Sequence, residues 1–259
     1  MNKYLLKINN LSIDFGGIRA LNRLSFDIRQ AEIAALIGPN GAGKTTLFNC
    51  LTGIYAFSEG DILLFPPESE KGISLKGMKP NQITEKGLAR TFQNIRLFSR
   101  MTVLENVMIG RHCRTRAYIL GALFRNAATR KEERETVDKS YALLEKMGLA
   151  EYVNEPAGNL PYGAQRRLEI ARALATDPFL LLLDEPAAGM NPQETSDIID
   201  LIREIASDGL SILLIEHDMK LVMSLSDRIF VIDYGRKIAE GDPAEIRSNP
   251  AVIKAYLGA

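Results

Sequence analysis

Apolar and polar residues alternate in two stretches near the start of the chain, residues 11–15 and residues 24–28. Alternation with a period of two is typical of strands that are buried on one face only. The Gly16-Gly17 pair lies between the two stretches and gives the backbone the freedom of a turn. We therefore expect an antiparallel pair of strands near the N-terminus.

Other stretches are apolar at every position. Residues 33–37 and 179–183 are the clearest cases, and residues 212–215 and 229–232 are similar. This pattern is typical of strands that are covered on both faces of a parallel sheet. Helical spacing of apolar residues occurs between these strands, at 165–175, 198–205 and 221–225. The alternation of strands and helices predicts an α/β fold with a parallel core sheet and right-handed crossovers.

The sequence between residues 94 and 165 has helical character. Thr102 has the side chain of an N-cap, and Glu105 completes a capping box three residues later. Apolar residues recur farther on at helical spacing, at Val137, Tyr141, Leu144 and Met147. We expect Gly148 to end this second helix.

The length of the chain, 259 residues, suits one large domain that includes a sizeable subdomain. We expect residues 1–93 and 166–259 to form an α/β core with an antiparallel β part, and residues 94–165 to form an inserted helical subdomain. The first residues contain no long apolar run, so no secretory signal is evident. No stretch of about eighteen apolar residues predicts a membrane span.

A glycine-rich segment follows the apolar strand 33–37 and precedes a helical pattern. It fits the phosphate-binding motif G-x-x-x-x-G-K-[ST] and consists of Gly38, Pro39, Asn40, Gly41, Ala42, Gly43, Lys44, Thr45 and Thr46. The glycines allow backbone N–H groups to surround an anion, and the helix that follows adds its positive dipole end. We expect Lys44 to neutralise the β- and γ-phosphates, and the Thr45 hydroxyl to bind Mg²⁺.

Two more polar clusters follow apolar strands. Asp184 and Glu185 come after residues 179–183, and Glu216, His217 and Asp218 come after residues 212–215. The carboxyl ends of parallel strands share one edge of a sheet, so these side chains should meet the phosphate-binding loop. Asp184 then suits Mg²⁺, directly or through water, and Glu185 suits the polarisation or deprotonation of an attacking water. Taken alone, an Asp-Glu pair is often a strand end, and a lone histidine is usually structural.

Charge and cysteine content narrow the function further. The formal net charge is zero, with 32 basic and 32 acidic residues, which argues against a general polyanion binder. Residues 90–134 nevertheless contain ten Lys/Arg and three Asp/Glu. A solvated face or a patch for an acidic partner explains this segment better than nucleic-acid binding does. Cys50 and Cys113 have no metal-ligand spacing, and we expect Cys50 to be a buried apolar residue.

The motifs together resemble those of ABC transporter ATPase subunits over nearly the whole chain. The phosphate-binding loop is similar to Walker A, and residues 180–185 are similar to Walker B. Gln93 and His217 lie at the order and spacing of the family's glutamine and histidine loops. The resemblance implies a P-loop NTPase with a RecA-like core, catalytic roles for Glu185, His217 and Gln93, and Mg²⁺ ligation by Thr45, Gln93 and Asp184. It also implies that Phe15 stacks on the adenine.

The resemblance further implies a dimer in which each ATP lies between one subunit's Walker A and the other's signature helix. The family's Leu-Ser-Gly-Gly-Gln signature corresponds here to residues 160–164, of which Leu160 and Gly163 match. Pro161 has neither a hydroxyl nor an N–H group, so it cannot give the γ-phosphate the hydrogen bonds of a signature serine. We expect Gly163 and the following helix N-terminus to supply backbone donors instead. The two sites of the dimer are then candidates for unequal activity.

Finer sequence features resemble one subgroup of the family, the larger ATPase of branched-chain, or hydrophobic, amino-acid importers. These features are the segments 89–98, 162–174, 188–192 and 240–258, together with the basic insertion 111–134. The subgroup implies binding to two transmembrane permease subunits at the cytoplasmic face of the membrane. It also implies a second ATPase subunit, with a paralogous heterodimer favoured and a homodimer allowed. An extracytoplasmic solute-binding protein would act indirectly, and no nucleic acid takes part.

Three alternatives remain at this point. One is an ABC importer ATPase for another solute, and a second is a soluble ABC ATPase that acts on nucleic acid or ribosomes. DNA-repair members of the family carry long coiled-coil insertions, and ribosome-associated members carry two ATPase units, neither of which this sequence predicts. The third is a small-molecule P-loop kinase, which would need a substrate lid and no signature helix.

Overall fold

The structure, a computed structural model, describes residues 4–67, 69–115 and 127–257. Ten strands lie within these residues: β1 Tyr4–Phe15, β2 Ile18–Arg29, β3 Ile33–Ile37, β4 Glu59–Leu64, β5 Ile73–Ser74, β6 Leu88–Arg90, β7 Leu180–Asp184, β8 Ser211–Ile215, β9 Arg228–Asp233 and β10 Arg236–Gly241. They form a four-stranded sheet, β2-β1-β4-β5, and a six-stranded sheet, β10-β9-β3-β8-β7-β6. The six-stranded sheet is parallel except for β10, which runs antiparallel to β9.

The four-stranded sheet is antiparallel, as the alternating pattern predicts. Strands β1 and β2 pair with each other around the Gly16-Gly17 turn. In β1 Leu11 and Ile13 are buried and Asp14 is exposed, but Ser12 is also buried and Phe15 is 42% exposed, so the predicted alternation holds only in part. Strand β4 pairs antiparallel with β1, on the side opposite β2.

The described residues also contain nine α-helices: α1 Lys44–Leu51, α2 Pro80–Glu85, α3 Val103–Arg111, α4 Ala127–Lys146, α5 Tyr162–Leu174, α6 Pro192–Ser207, α7 Met219–Leu225, α8 Pro243–Ser248 and α9 Pro250–Leu257. The prediction was wrong about the start of α5, which begins at Tyr162 rather than at residue 165. Pro161 is the N-cap residue, a position whose N–H group has no partner within the helix, so a proline is tolerated directly before the first turn. Tyr162 and Gly163 therefore lie in the first turn of α5.

Alternate side chains of the core strands enter two hydrophobic cores. Ala34 and Leu36 of β3 pack in the core that also contains α1 and the antiparallel sheet. Ile33, Ala35 and Ile37 of β3 pack in the other core, with residues of α3, α4, α5, α6 and α7. Helix α1 is thus fixed between the two sheets, directly after the phosphate-binding loop.

The region predicted as a helical insertion contains α3 and α4, and α5 runs across its predicted end at residue 165. The predicted capping box is present, because Thr102 Oγ1 accepts a hydrogen bond from the Glu105 N–H group. Leu144 and Met147 are buried, but Val137 and Tyr141 are 37% and 40% exposed, so the apolar stripe of α4 is covered only at its C-terminal end. Residues 116–126 of the basic insertion lie outside the described residues.

Two further strands have weak sequence signals. Strand β6 has only three residues and pairs in parallel with β7 at the edge of the sheet. Strand β10 forms the opposite edge and is partly exposed, so it lacks the continuous apolar pattern of the inner strands. Cys50 is buried as predicted, and burial raises the pKa of its thiol to about 12.

Leu213→Ala in β8 is expected to lower the free energy of unfolding by about 2–5 kcal/mol, because Leu213 is fully buried between the two sheets. Leu257→Ala is the matched control, since Leu257 is 76% exposed and should change stability by less than about 0.5 kcal/mol. Urea unfolding followed by circular dichroism measures both. Equal losses for the two variants would contradict the assignment of β8 to the buried centre of the sheet.

Candidate functional site

The phosphate-binding loop connects β3 to α1 at the carboxyl edge of the parallel sheet. Gly41 and Gly43 have φ angles of 80° and 107°, which few residues other than glycine adopt easily. A side chain at Gly38 would place its Cβ atom 2.0 Å from the Ile232 carbonyl oxygen. Glycine is therefore required at this position by close packing against β9.

Lys44 begins α1 and turns its ammonium group toward the loop. Its Nζ atom donates hydrogen bonds to the carbonyl oxygens of Gly38 and Pro39, at 2.6 and 2.9 Å. The side chain is only 7% exposed, and burial lowers the pKa of its ammonium group, while the negative charge of Glu185 opposes that change. A positive charge held within the loop suits the binding of phosphate.

The structure brings the three predicted catalytic side chains together. Gln93 donates a hydrogen bond from Nε2 to Glu185 Oε2 at 2.8 Å. His217 Nε2 lies 2.6 Å from the other carboxylate oxygen of Glu185. These three residues line one open cavity of about 660 Å³ together with Asn40, Gly41, Gly43, Lys44, Thr45 and Thr46.

The backbone of Glu185 has a φ angle of 50°, which is uncommon for a residue other than glycine. Its N–H group donates to the Ile215 carbonyl oxygen at 2.9 Å, and its own carbonyl oxygen accepts from the Ala188 N–H group. The chain therefore turns sharply where β7 ends, while its last residues remain paired to β8. This turn directs the Glu185 carboxylate toward Gln93 and His217.

Asp184, the last residue of β7, is buried and forms an ion pair with Arg90. The Arg90 Nη2 atom lies 2.6 Å from Asp184 Oδ2, and both side chains are about 5% exposed. Arg90 also donates from Nη1 to Asn49 Oδ1 of α1 at 2.7 Å, and its guanidinium lies against the rings of Phe48 and Phe92. Arg90 thus connects the helix after the phosphate-binding loop to the carboxylate that ends β7.

A second buried arginine fixes the backbone at Gln93. Arg166 of α5 is completely buried and donates to the carbonyl oxygens of Phe92 and Gln93, at 2.7 and 2.8 Å. Its charge is balanced by Glu169 at 2.9 Å. Because Arg166 belongs to the helix that begins at Tyr162, any movement of that helix pulls directly on the segment that carries Gln93.

Other predicted binding residues lie apart from this cavity. Gly163 lines a different cavity, between α5 and α6, and Leu160 is buried just before α5. Pro39 and Ala42 border a cavity on the other side of the phosphate-binding loop, beside α9. Phe15 is 42% exposed and makes an edge-to-face contact with Tyr55 at 5.2 Å. The adenine contact of Phe15 stays a prediction, as do the roles of Leu160 and Gly163.

The sequence did not reveal the supporting roles of Arg90 and Arg166, two arginines whose side chains are buried beside the site. Glu216 was expected at the sheet edge with His217, but without a role of its own. A supporting arginine has no characteristic spacing in a sequence. Arg90 is also one of the ten basic residues within positions 90–134, a segment interpreted as a solvated face. One signal was available for Arg90, because it ends an apolar segment three residues before Gln93.

Thr45 and Gln93 in the cavity and Asp184 beside it carry the kind of oxygen atoms that Mg²⁺ prefers. Within the part of the chain that the structure describes, no group of three or more His, Cys, Asp or Glu side chains is arranged to hold a metal ion by itself. Mg²⁺ commonly takes only one or two protein oxygens and completes its shell with phosphates and water. Asp184 keeps a carboxylate oxygen beyond its ion pair, Thr45 offers a hydroxyl, and Gln93 keeps its amide oxygen because its NH₂ group binds Glu185. When bound, the ion would neutralise phosphate charge.

Two family models match the chain. The model described as "ABC transporter" matches residues 21–188, which include the phosphate-binding loop and Asp184. The model described as "Branched-chain amino acid ATP-binding cassette transporter" matches residues 236–259. No helix among the described residues is both long and apolar enough for a membrane span.

Curated relatives and solved structures agree with these matches. The chain is 49% identical to the high-affinity branched-chain amino acid transport ATP-binding protein LivG of Salmonella typhimurium, over 100% of this chain and 99% of the relative. It is 47% identical to BraF of Pseudomonas aeruginosa over the same shares. The crystal structure of the ADP conformation of MJ1267, an ATP-binding cassette of an ABC transporter, has a TM-score of 0.84 and 33% identity, with full coverage of both chains. The chain is therefore a member of the ABC transporter family, an ATP-hydrolysing cassette.

Proposed function

We propose that this chain is an ATP-hydrolysing subunit of an importer for branched-chain amino acids. The observation that carries the enzymatic part is the Glu185 carboxylate, held between Gln93 and His217 in the cavity that the phosphate-binding loop also lines. The names of LivG and BraF, which match over the full chain, support the solute class. The match of residues 236–259 to the branched-chain family model supports it further.

The site residues divide the work of hydrolysis. Backbone N–H groups of the loop and the Lys44 ammonium group bind the phosphates, and the dipole of α1 adds to their attraction. Glu185 accepts a proton from the attacking water, or orients that water, in line with the γ-phosphate. His217 and Gln93 hold the Glu185 carboxylate by its two oxygens, so the base is already oriented when the substrate arrives.

A second ATPase subunit completes each site in this proposal. Leu160 and Gly163 do not line the cavity with Lys44 and Glu185, so within one chain the γ-phosphate side of the cavity lacks the signature segment. Helix α5 begins without a side-chain cap, which leaves first-turn N–H groups free to meet a phosphate of the neighbouring subunit. The partner is a paralogous ATPase or a second copy of this chain.

The remaining partners are two transmembrane permease subunits, bound at the cytoplasmic face of the membrane, and indirectly a solute-binding protein outside it. We assign the permease contact to the helical subdomain, residues 94–165, because it is joined to the ATP site through Gln93. Arg166 holds the backbone of Gln93, so a change at Glu185 reaches this subdomain through a short chain of contacts.

Glu185→Gln is expected to lower the rate of ATP hydrolysis by about 100- to 1,000-fold, because the amide cannot accept a proton from water. ATP affinity should change little, since the phosphate-binding loop is intact. Steady-state hydrolysis and calorimetric titration with ATP measure the two quantities. Glu204→Gln, an exposed change on α6, is the control. Near-normal turnover in Glu185→Gln would remove Glu185 from its proposed role.

Lys44→Ala is expected to weaken ATP binding by roughly 10- to 150-fold, which corresponds to the loss of about 1.5–3 kcal/mol of charge-assisted hydrogen bonding. Lys71→Ala is the matched control, since Lys71 is exposed in the antiparallel part of the chain. Calorimetry on both variants compares their dissociation constants. Equal affinities would contradict the phosphate-binding role of Lys44.

Deletion of the gene is expected to abolish ATP-dependent uptake of labelled leucine, isoleucine and valine in cells grown on limiting amounts of these amino acids. The wild-type chain should restore uptake, and the Glu185→Gln chain should not. Loss of uptake of a different solute, with branched-chain uptake unchanged, would retain the transporter and overturn the proposed solute. Recovery of the chain with ribosomes or RNA, rather than with membrane proteins, would contradict transport itself.

A further inference from the structure

Glu216 is a buried acidic residue for which the hydrolytic mechanism above has no role. It follows β8 directly, is only 5% exposed, and precedes His217. Burial raises the pKa of its carboxyl group, and the negative charge of Glu185 raises it further. Hydrogen bonds from backbone N–H groups, with that of Ala187 first, act in the opposite direction. Burial of a carboxyl group costs free energy unless the group is hydrogen-bonded.

The carboxylate of Glu216 links two turns. Its Oε1 atom accepts a hydrogen bond from the Ala187 N–H group at 2.9 Å, and its Oε2 atom accepts from the His217 N–H group at 3.1 Å. Ala187 lies in residues 186–190, which we call the post-Glu185 turn. One side chain therefore connects the turn that follows Glu185 to the turn that carries His217.

Backbone pairing alone does not extend this far. Strands β7 and β8 pair as far as Asp184 and Ile215, and the Glu185 N–H group still donates to the Ile215 carbonyl oxygen at 2.9 Å. Beyond that bond both strands end in turns. The next hydrogen bond that joins the two turns comes from the Glu216 side chain. The distance of 2.6 Å between His217 Nε2 and Glu185 Oε1 depends on how these two turns lie relative to each other.

The post-Glu185 turn is also held from its other side. The Tyr162 hydroxyl donates a hydrogen bond to the Ala188 carbonyl oxygen at 2.9 Å. Tyr162 is the first residue of α5. Its side chain is 43% exposed, so it lies at the surface and not in the hydrophobic core. A continuous set of hydrogen bonds thus runs from His217 through Glu216 and the turn to the start of α5.

We propose that Glu216 is a positioning residue of the ATPase site, which fixes the post-Glu185 turn against His217, and that the Tyr162 hydroxyl extends this hold to the signature helix. The proposal rests on the proposed function, because α5 belongs to the neighbouring subunit's site only in a dimer. Glu216 touches no substrate and acts through the alignment of Glu185 with His217. Its loss should therefore affect the chemical step and leave ATP binding at Lys44 intact.

The test compares Glu216→Ala, Glu216→Gln and Tyr162→Phe in the full-length chain assembled with its partner subunits. Glu216→Ala should lower kcat by about 10- to 100-fold, the effect of a small misplacement of catalytic groups, with ATP affinity within about twofold of wild type. Glu216→Gln should lose less activity, because its amide keeps one oxygen acceptor. Tyr162→Phe should also lower kcat, because it removes the hydroxyl group that donates to the Ala188 carbonyl oxygen. The ring is unchanged, so packing should be retained.

Glu32→Gln is the matched control for the loss of a buried carboxylate. Glu32 is 7% exposed, accepts a hydrogen bond from the Arg29 N–H group at 2.7 Å, and pairs with Arg228 away from the ATP cavity. It should lower the thermal midpoint and leave kcat per folded molecule unchanged. Glu216→Ala would overturn the proposal if it kept full kcat while folded, or if ATP affinity fell as much as kcat did.

A double-mutant cycle tests the extension to Tyr162. If both side chains hold one turn, Glu216→Gln combined with Tyr162→Phe should lower kcat by less than the product of the single effects. A simple product, or a normal kcat in Tyr162→Phe, would overturn the extension. A wild-type assembly without ATP hydrolysis would instead overturn the proposed function, so the two failures are distinguishable. If Glu216→Ala does not fold, the glutamine and phenylalanine variants still decide the result.

Discussion

The three central strands of the core sheet, β3, β7 and β8, are buried at every position, and this constraint decides where chemistry can occur. Their side chains alternate between two hydrophobic cores, so neither face of the sheet is open to a polar ligand. Polar and charged groups must therefore collect where the strands end. In a parallel sheet these ends share one edge, and the phosphate-binding loop, Glu185 and His217 meet there.

Buried charges below this edge fix the loops that carry the site. Arg90 binds both Asp184 and Asn49 of α1. Arg166 of α5 binds the backbone of Gln93. Glu216 binds the post-Glu185 turn and the His217 N–H group. Buried ion pairs of this kind contribute little net stability, because desolvation offsets most of their attraction. Their effect is geometric, since each charge has a specific set of partners that only one arrangement of the loops provides.

The sequence predicted the parts of the fold that follow from periodicity and the parts of the site that follow from motifs. The inner strands are continuously apolar, and the loop 38–46 has a spacing that few other functions require. Strands β6 and β10 were not predicted, because edge strands are short or half exposed. The supporting role of Arg166 was not predicted, since the sequence does not show whether the partner of an arginine is water or a buried charge. Arg90 had only the weak signal of its place at the end of a short apolar segment, and Glu216 was expected at the sheet edge but without a role.

The arrangement of α5 explains why one chain presents only part of the proposed site. The side of α5 that carries Arg166 packs toward Phe92 and Gln93 in its own chain, whereas the first turn, at Tyr162 and Gly163, lies toward the post-Glu185 turn and α6. Lys44, Gln93, Glu185 and His217 line one cavity, and Gly163 at the start of α5 lines another, so in the proposed site a phosphate at Lys44 would not meet the start of α5 of its own chain. Pro161 leaves this start without a side-chain cap, so any contact to a neighbouring subunit's ATP must come from backbone N–H groups. Such donors are fixed by the position of the helix itself, and two different ATPase subunits with different helix starts would then hold their two nucleotides unequally.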